Sequence, residues 1–507
     1  MKLPMLFSLR VLFLTLLFFI ALPTARAQSD LTLQWAKALS SDTPPYLRIE
    51  SLKADALGNT YITGSFIGTA DFDPGAGVAR LTGTAPYTIF FAKYDADGNY
   101  VYAKQLAGAD SAWGTAITVG ADGTVYITGV FKGTVDFDPG KGVAQLTSAG
   151  DIDIFLAKYD TRGNYVYAKR MGGKSDDRST AIAVDGSDNV AIAGYFFGTA
   201  DFDPGKGVAE LSSSGGCDIF LAKYDAQGKY IYAKGIGGTG YDSASGIAFA
   251  TDGTLYMTRS FERTVDFDPG SGIAERSSAG YKDLFLAHYD GNGNFIFANR
   301  MGGKGKDQSN AIAVDGTGNA YITGFYEDTV DFDPGEGVAA LVSPKPCALF
   351  LAKYDANGHY VYAKSVAGGK GAIGTGVVAD LHDNAYITGY FEGTVDFDPG
   401  EATAQLTSPG RTKGMPGYEN DTFIAKYDAI GKYVYAKSIG GKGYDRGTAI
   451  AMDAKGRLYI AGDFESPADF YTANGTYSLQ SESSSAAFIA CYRENDTTTA
   501  NKNQPRE

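Results

Sequence analysis

Pairs of aspartates recur at a fixed spacing along the chain. Asp71 and Asp73 flank Phe72 in the stretch TADFDPGAGVA, and the letters DFDPG begin again at Asp136, Asp201, Asp266, Asp331 and Asp396. Two carboxylates two residues apart, together with turn carbonyls, supply part of the about six to eight oxygen ligands that calcium takes. Asp-Pro-Gly is also favourable turn chemistry, because Pro fixes φ and Gly tolerates positive φ. We expect a structural turn, and calcium at these loops is the alternative.

A second set of aspartates lies in the linkers between repeats. Its members are Asp177, Asp242, Asp307 and Asp445, whereas Ala112 and Ala372 stand at the equivalent positions of two other repeats. Because the alanines show that the fold does not require a carboxylate there, two interpretations remain open. One is ligation of a metal, and the other, which we favour, is hydrogen bonding to loop amides.

No carboxylate pair is singled out for catalysis. A glycoside hydrolase needs two carboxylates in unlike environments, whereas carboxylates repeated along the chain meet like environments. The sequence has no Ser/His/Asp constellation and no Gly-rich phosphate loop before a helix. His288, His359 and His382 fall at unrelated repeat positions, which argues against a histidine metal site. We therefore expect a protein that is not an enzyme, with no catalytic or metal-ligating residues and no cofactor.

The chain consists of seven copies of one repeat. The motif FFAKYD at Phe90 has counterparts that begin at Phe155, Phe220, Phe285, Phe350, Phe423 and Phe488. Each copy has four short segments rich in β-forming residues, such as AIAV and NVAIAGYF, joined in pairs by tight turns. Gly163 and its equivalents stand where such a turn needs positive φ. Four antiparallel strands at a fixed period are typical of β-propeller blades.

The two ends of the chain complete each other. The seventh copy stops at Arg493 without a fourth strand, and LTLQWAKALS from Leu31 matches a fourth strand that has no first three before it. Pairing these segments removes two exposed sheet edges, which are aggregation hazards. We predict an all-β fold, a single seven-bladed β-propeller with four antiparallel strands per blade, closed by the N-terminal strand joining the last blade.

The repeat has the pattern YAKxxGG, AIAVDxxGNxYITGxF and DIFLAKYDxxGNYVYAK, which extends over nearly all of Leu31–Arg493. This pattern resembles the secreted bacterial β-propeller repeat family known as SBBP. The resemblance implies a propeller in an exported bacterial protein, and it implies no common activity. The DFDPG insertion makes these repeats longer than those of the family.

The N-terminus has the features of a cleaved signal peptide. An apolar run, Val11–Leu22, follows basic residues and precedes a small-residue cleavage site that ends at Ala27. The run is too short to cross about 30 Å of hydrocarbon as a helix. We expect a signal peptide over 1–27, the propeller over 28–493 and a disordered tail over 494–507. The protein is then secreted, or held at the cell surface or in the periplasm, without membrane insertion after cleavage.

The charge of the chain bounds its partners. The net charge is −14 at pH 7, and no basic run offsets it. Such an acidic surface repels nucleic acid and anionic lipid. We expect no nucleic-acid partner, a monomer, and a polysaccharide or a cell-envelope protein as ligand.

Binding residues should interrupt the repetition on the face where the DFDPG loops and the linkers gather. The candidates are Trp113, Tyr241 and Tyr444 in linkers, and Arg411, Lys413 and Tyr418 in a loop that is expanded only in the sixth copy. Tyr46 lies in a further departure from the repeat. Aromatic rings beside acids and amides suit sugar stacking, and the same rings with Arg suit a protein partner. We expect an exported, non-catalytic binding or surface-interaction module. The alternatives are a purely architectural envelope protein and, less favoured, a glycan-active enzyme.

Overall fold

The structure is a computed structural model of the 507-residue chain. It describes residues 31–42, 46–108, 110–344, 346–409, 419–465, 467–472, 475–480 and 485–495. The predicted signal peptide and all but the first two residues of the predicted tail lie outside these ranges, so both remain predictions. Within the ranges, no helix is long and apolar enough to span a membrane.

All the regular elements of the described residues are β-strands, and they follow the repeat. Strand β1 (Leu31–Ser41) precedes the first complete repeat. Repeats one to three contain β2 (Leu47–Ala54), β3 (Thr60–Phe66), β4 (Thr69–Asp71), β5 (Arg80–Thr82), β6 (Thr88–Tyr94), β7 (Tyr100–Gly108); β8 (Ala112–Val119), β9 (Val125–Phe131), β10 (Thr134–Asp136), β11 (Gln145–Thr147), β12 (Asp153–Tyr159), β13 (Tyr165–Gly173); and β14 (Asp177–Val184), β15 (Val190–Asp201), β16 (Glu210–Tyr224), β17 (Tyr230–Gly238).

Repeats four and five contain β18 (Ser243–Phe249), β19 (Leu255–Phe261), β20 (Thr264–Asp266), β21 (Glu275–Ser277), β22 (Asp283–Tyr289), β23 (Phe295–Met301); and β24 (Gln308–Val314), β25 (Ala320–Tyr326), β26 (Thr329–Asp331), β27 (Ala340–Val342), β28 (Ala348–Tyr354), β29 (Tyr360–Gly368). Repeats six and seven contain β30 (Gly371–Ala379), β31 (Ala385–Glu392), β32 (Thr394–Asp396), β33 (Gln405–Thr407), β34 (Asn420–Tyr427), β35 (Tyr433–Gly441); and β36 (Arg446–Met452), β37 (Leu458–Glu465), β38 (Ala468–Thr472), β39 (Gly475–Leu479), β40 (Ser485–Glu494). The short strands between the second and third long strands form an insertion hairpin that carries DFDPG.

The all-β propeller fold is confirmed, but the prediction of seven blades with four antiparallel strands each is wrong, because the described residues form a five-bladed propeller when each sheet of six or more strands is counted as one blade. In the described part of the chain the strands form five sheets of six or more strands, one sheet of four and one of two. The reason is that insertion strands extend the hydrogen bonding of the main sheets. In the third repeat β15 and β16 run on into the insertion, which fuses neighbouring repeats into one ten-stranded sheet. Strand β1 pairs antiparallel with β40, from Leu31 opposite Glu494 to Leu39 opposite Ala487.

Six of the seven insertion hairpins pair with the fourth strand of the repeat before them, and in the fifth repeat the contact is a single bridge between Gly302 and Asp331. Strand β10 pairs with β7 and β20 pairs with β17, and β4 pairs in the same way with β1. The second glycine of the GG motif permits this approach. A Cβ added to Gly238 would lie 1.9 Å from the Thr264 carbonyl oxygen, and a Cβ added to Gly173 would lie 1.9 Å from the Thr199 carbonyl oxygen. The hairpin therefore holds two neighbouring repeats together.

The DFDPG segment is a turn that is satisfied by its own carboxylates. Asp201 Oδ1 accepts hydrogen bonds from the amides of Asp203 (3.0 Å) and Ala209 (2.8 Å), and Asp203 Oδ1 accepts one from Gly205 (2.8 Å). Phe202 is fully buried, and its carbonyl accepts a hydrogen bond of 2.8 Å from the Tyr224 hydroxyl. The same bonds recur in the other DFDPG segments, so the expected structural turn is confirmed.

The core lies between neighbouring repeats. Successive residues of β12 face opposite sides, so that Ile154 and Leu156 pack against the third repeat while Phe155 packs against the strands of its own repeat and the one before. Phe196 and Phe202 of the third repeat complete one of these clusters. Burial of such side chains stabilises by about 1.5–3 kcal/mol each, which makes the contacts between repeats the main source of stability.

The Tyr224 hydroxyl offers a direct test of the turn, because the seventh repeat has the same tyrosine without the bond. Tyr224→Phe should lower the free energy of unfolding by about 1–3 kcal/mol, since it leaves the buried Phe202 carbonyl without its donor. Tyr492 is fully buried and its hydroxyl has no hydrogen-bond partner in the described residues. Tyr492→Phe is therefore the matched control and should be neutral or stabilising in urea denaturation. Equal losses in the two variants would contradict a role for the hydroxyl.

Candidate functional site: the central channel and its mouth

The first strands of the repeats surround a central channel. Strands β2, β8, β14, β18, β24, β30 and β36 line it, and its wider part has a volume of about 350 Å³. A polar side chain near the middle of six of these strands donates a hydrogen bond to a main-chain carbonyl of the next first strand. The donor–acceptor pairs are Thr115–Ser179 (2.9 Å), Thr180–Ala244 (2.7 Å), Ser245–Ser309 (3.1 Å), Asn310–Gly374 (2.8 Å), Thr375–Gly447 (2.8 Å) and Thr448–Ile49 (2.8 Å). These bonds tie neighbouring repeats together around the channel.

Glu50 interrupts this ring of donors. It occupies the seventh equivalent position, and an ionised carboxylate cannot donate a hydrogen bond. Its Oε1 instead lies 3.0 Å from Nε of Arg48, which lies 3.7 Å from Oδ2 of Asp463. The closure between the last and first repeats therefore places charged groups where the other repeats have neutral hydrogen bonds.

A second level of side chains lies two residues before the ring. We call these side chains the mouth residues: Arg48, Trp113, Arg178, Ser243, Gln308, Ile373 and Arg446. They point to the same side as the ring, as the ion pair of Arg48 with Glu50 and the 2.8 Å hydrogen bond from Gln308 to Asn310 show. All are partly exposed. Three of the seven are arginines, on a chain whose net charge is −14.

Arg259 adds a fourth guanidinium to this level. It replaces a glycine that the other six repeats keep, and in the third repeat a Cβ on that glycine, Gly194, would lie 1.9 Å from the Arg178 carbonyl oxygen. Burial lowers the pKa of Arg259, and the nearby Tyr195 hydroxyl acts in the opposite direction. Arg259 has no ion pair in the described part of the chain. Opposite it, the Arg446 guanidinium lies 5.1 Å from the centroid of the Tyr390 ring.

The three predicted aromatic residues that the structure describes lie in different sectors around the mouth. Trp113 contacts Tyr87 at 5.1 Å between ring centroids, and Tyr87 contacts Tyr46 at 5.2 Å. Tyr241 is 54% exposed and stacks edge-on against Phe197 at 6.5 Å. Tyr444 is half-buried and lies close enough to Arg48 and Tyr390 to contribute to the rise in their pKa values. The structure therefore places these residues in separate aromatic patches, with Tyr46 in the patch of Trp113, and their role in binding stays a prediction.

The predicted residues of the expanded sixth loop, Arg411, Lys413 and Tyr418, lie outside the described residues. The predicted calcium alternative has no support from geometry, because the turn oxygens of Asp201 and Asp203 already accept main-chain amides. Among the described residues no group of three or more His, Cys, Asp or Glu side chains is placed to hold a metal ion.

The linker aspartates each meet a second buried aspartate from the preceding repeat. The pairs are Asp153 with Asp177, Asp218 with Asp242, Asp283 with Asp307, and Asp421 with Asp445. At the three remaining interfaces between repeats neither carboxyl is present: the equivalent residues are Thr88 and Ala112, Ala348 and Ala372, and Ala486 and Leu47. The two aspartates therefore occur together or not at all, although they lie 24 residues apart in sequence.

Hydrogen bonds show that the two aspartates of one pair, Asp218 and Asp242, have different roles. Asp242 accepts main-chain amides on both oxygens, from Gly238 (3.0 Å) and Glu262 (3.0 Å). Asp218 accepts one amide on Oδ2, from Ser214 (2.9 Å), and its buried Oδ1 has no partner in the described residues. Burial raises the pKa of Asp218 to about 6 and that of Asp242 to about 7, and the charge of Asp218 adds to the rise at Asp242. The unpaired Oδ1 of Asp218 is the atom that can carry a proton when this carboxyl is neutral, while Asp242 caps the linker amides as predicted.

Sequence reasoning missed the charged residues of the channel. Glu50 and Arg259 each break the repeat at one position, inside segments that read as ordinary strands. Comparing each position across the seven copies would have found them, because six copies have a hydrogen-bond donor or a glycine there. The same comparison would have paired Asp218 with Asp242.

The fold and the channel together define a β-propeller repeat protein. No protein-family model matches the chain. It is 22% identical over 483 residues, 82% of the chain, to an uncharacterized WD repeat-containing protein, L264, of Acanthamoeba polyphaga mimivirus. It is 30% identical over 227 residues, 44% of the chain, to the regulatory protein FlaEY of Caulobacter vibrioides. The matches span only 34% and 23% of the lengths of these relatives.

Two solved structures are similar at low scores. One is a protein of unknown function from Bacteroides caccae, with 8% identity, a TM-score of 0.32, and coverage of 69% of this chain and 89% of that chain. The other is the WD40 domain of Pan2 from Neurospora crassa, with 9% identity, a TM-score of 0.29, and coverage of 75% and 88%. Neither assigns a ligand. The propeller fold and the WD-repeat relative indicate a binding or interaction module.

The raised pKa values of Asp218 and Asp242 predict how stability depends on pH. The folded-state pKa values of Asp218 and Asp242 lie above the ordinary value near 4, so the stability that this pair contributes is fully present below about pH 4 and is lost as pH rises through about 6–7. Asp218→Asn supplies an NH₂ donor that needs no proton, and should raise the free energy of unfolding at pH 8 but not at pH 5. Asp242→Asn removes an acceptor from a linker amide and should cost about 1–3 kcal/mol at both pH values. Urea denaturation at the two pH values checks this, and an unchanged pH dependence in Asp218→Asn would contradict a raised pKa of Asp218.

The interruption at Glu50 predicts that the closure can be stabilised. Glu50→Thr supplies the missing donor toward Gly114 and should raise the free energy of unfolding by about 1 kcal/mol. The ion pair with Arg48 that it removes is about a third exposed and contributes little. The reverse change, Thr180→Glu, breaks an existing bond to Ala244 and should be destabilising. If Glu50→Thr and Thr180→Glu shift the denaturant midpoint in the same direction, the hydrogen bonds around the channel are not the cause of the changes in stability.

Proposed function

We propose that the chain is an exported, non-catalytic binding module that holds a carboxylated polysaccharide at the mouth of its central channel. The observation that supports this most directly is the concentration of arginines and aromatic rings at the mouth, where the repeats otherwise carry small or neutral residues. Binding residues that differ between repeats are expected of a single site on a symmetric scaffold.

The side chains suit a sugar acid. The partly exposed rings of Trp113 and Tyr241 present apolar faces to pyranose rings, with hydroxyl and amide groups nearby. Arg178 and Arg259 flank the Tyr195 hydroxyl, and guanidinium groups bind carboxylates through two parallel hydrogen bonds. Because the rest of the surface is acidic, these arginines also give an anionic ligand a local site of attraction.

Export and location are part of the same proposal. The basic, apolar and small-residue order of residues 1–27 supports secretion, and the resemblance of the repeats to the secreted bacterial SBBP type supports the same compartment. A polysaccharide of the cell envelope is then the ligand that this site would meet. A cell-envelope protein is the other partner class that the mouth could hold.

The test measures the binding of polygalacturonate, its methyl ester and neutral dextran to the chain by isothermal titration calorimetry. We expect saturable binding of polygalacturonate, with at least tenfold weaker binding after Trp113→Ala. Arg259→Gly restores the residue of the other six repeats and should remove the preference for the free acid over the ester. Tyr477→Ala, at a 48% exposed tyrosine on β39, is the control and should bind as the unaltered chain does.

Two results would overturn the proposal. If none of the three polymers shows saturable binding, a protein partner or an architectural role is favoured. Equal losses in Trp113→Ala and Tyr477→Ala would show that the polymer is held outside the mouth.

A further inference from the structure

The third repeat lacks an arginine that two other repeats pair with a buried aspartate. In the second repeat Arg170 Nη1 lies 2.9 Å from Oδ2 of Asp153, which is fully buried. Arg300 makes the same ion pair in the fourth repeat, at 2.7 Å. The residue that corresponds to these arginines in the third repeat is Gly235. The buried carboxyl of that repeat, Asp218, therefore has no guanidinium partner from its own strand pair.

Asp218 is buried and incompletely satisfied. It is 4% exposed, and its Oδ2 accepts the Ser214 amide, whereas its Oδ1 has no hydrogen-bond partner within the described residues. The sixth repeat also lacks the arginine, but there Asp421 Oδ1 accepts a hydrogen bond of 3.0 Å from the Ser408 hydroxyl. In the described part of the chain Asp218 has neither kind of partner. A buried carboxylate without one is costly, and a bound cation offsets that cost.

A crevice reaches Asp218 beside Gly235. It lies between β17, the insertion hairpin of the third repeat and the DFDPG turn of the fourth, and it has a volume of about 440 Å³ with Asp218 in its lining. A Cβ added to Gly235 would meet Leu211 first, at 3.7 Å, so the space in front of the glycine is open. The equivalent crevice of the second repeat has a volume of about 280 Å³ and is lined by Arg170 rather than by Asp153. The glycine thus leaves open the space that an arginine fills elsewhere.

The charges around this crevice favour a guanidinium cation. Asp266 and Asp268 line it together with Asp218, and Lys234 is the cation among the described residues of the lining. The Lys234 ammonium lowers the pKa of Asp290 and does not contribute to that of Asp218. A guanidinium binds carboxylates through paired hydrogen bonds and is less strongly hydrated than an ammonium, so it enters a buried site more readily.

We propose that this crevice binds the guanidinium group of an arginine side chain in a polypeptide, with Asp218 as its carboxylate partner and Gly235 as the residue that makes room for it. A polypeptide fits better than free arginine, because free arginine has a carboxylate that Asp266 and Asp268 repel. The net charge of −14 likewise attracts a ligand that is positive overall. The crevice lies at the fourth strand of its repeat, away from the mouth, and does not depend on the polysaccharide proposal.

The experiment measures the binding of N-acetylarginine methylamide, a capped arginine, by isothermal titration calorimetry at pH 8. The unaltered chain should bind it about tenfold or more tightly than Asp218→Asn does, because that change removes a charge-assisted hydrogen bond. Gly235→Arg supplies the guanidinium from the chain itself and should abolish binding. Arg170→Gly opens the equivalent crevice of the second repeat and should raise the number of bound molecules by one, and Arg300→Gly should do the same in the fourth repeat.

Two further ligands test the chemistry of the site. N-acetyllysine methylamide has the same charge without the planar fork, and free arginine has the fork with a carboxylate, so both should bind more weakly than capped arginine. Urea denaturation of each variant shows that it is folded.

Undiminished binding in Asp218→Asn or Gly235→Arg would overturn the proposal. So would no measurable binding of capped arginine at about 10 mM, which is about tenfold above the Kd of a weak ligand near about 1 mM. Equal affinities for free and capped arginine would contradict a polypeptide as the source of the guanidinium. None of these results bears on polygalacturonate, which probes the mouth.

Discussion

The pairing of the insertion hairpins with the outer strands of the preceding repeats is the constraint on which the rest of the structure depends. In a propeller without such an insertion, neighbouring sheets contact each other through side-chain packing. Packing alone fixes the angle between two sheets less strictly than main-chain hydrogen bonds do. Here main-chain hydrogen bonds cross the boundary, for example between β20 and β17, where Gly238 lets the chains approach closely. Because this pairing fixes the outer strands of neighbouring repeats, the hydrogen bonds around the channel can hold the first strands in register with them.

The strands and turns could be predicted from the sequence because they are local. Alternating residues identify the strands, and Gly163 and Gly228, with φ of 75° and 74°, stand at the turns that need positive φ. The division into sheets could not be predicted, because it depends on which strands share hydrogen bonds. Nothing in the letters around Phe196 and Cys217 signals that β15 and β16 continue into the insertion, although the structure pairs the two strands on both sides of an irregularity between Phe197 and Thr199.

The sequence drew attention to departures from the repeat that are conspicuous. Trp113 stood out as a large aromatic residue in a linker, and the structure places it at the mouth with Tyr87, while its role in binding stays a prediction. Glu50 and Arg259 were missed, because a single charge inside a strand has no meaning until the strand is known to face a channel. The partner of Asp242 was missed for a similar reason: Asp218 precedes a hydrophobic strand and is far from Asp242 in sequence, and only the fold brings the two together.

The departures from the repeat occur at interfaces with and without a buried acid pair. The interface at Thr88 and Ala112, which has no acid pair, is the one beside Trp113, and the interface at Leu47, which also lacks the pair, is the closure that carries Glu50. Interfaces with an acid pair already contain a buried group whose ionisation costs free energy, so a further unpaired charge there would add to that cost. Arg259 is such a charge, because it lies between the third and fourth repeats, at the interface that contains Asp218 and Asp242, and burial there lowers its pKa.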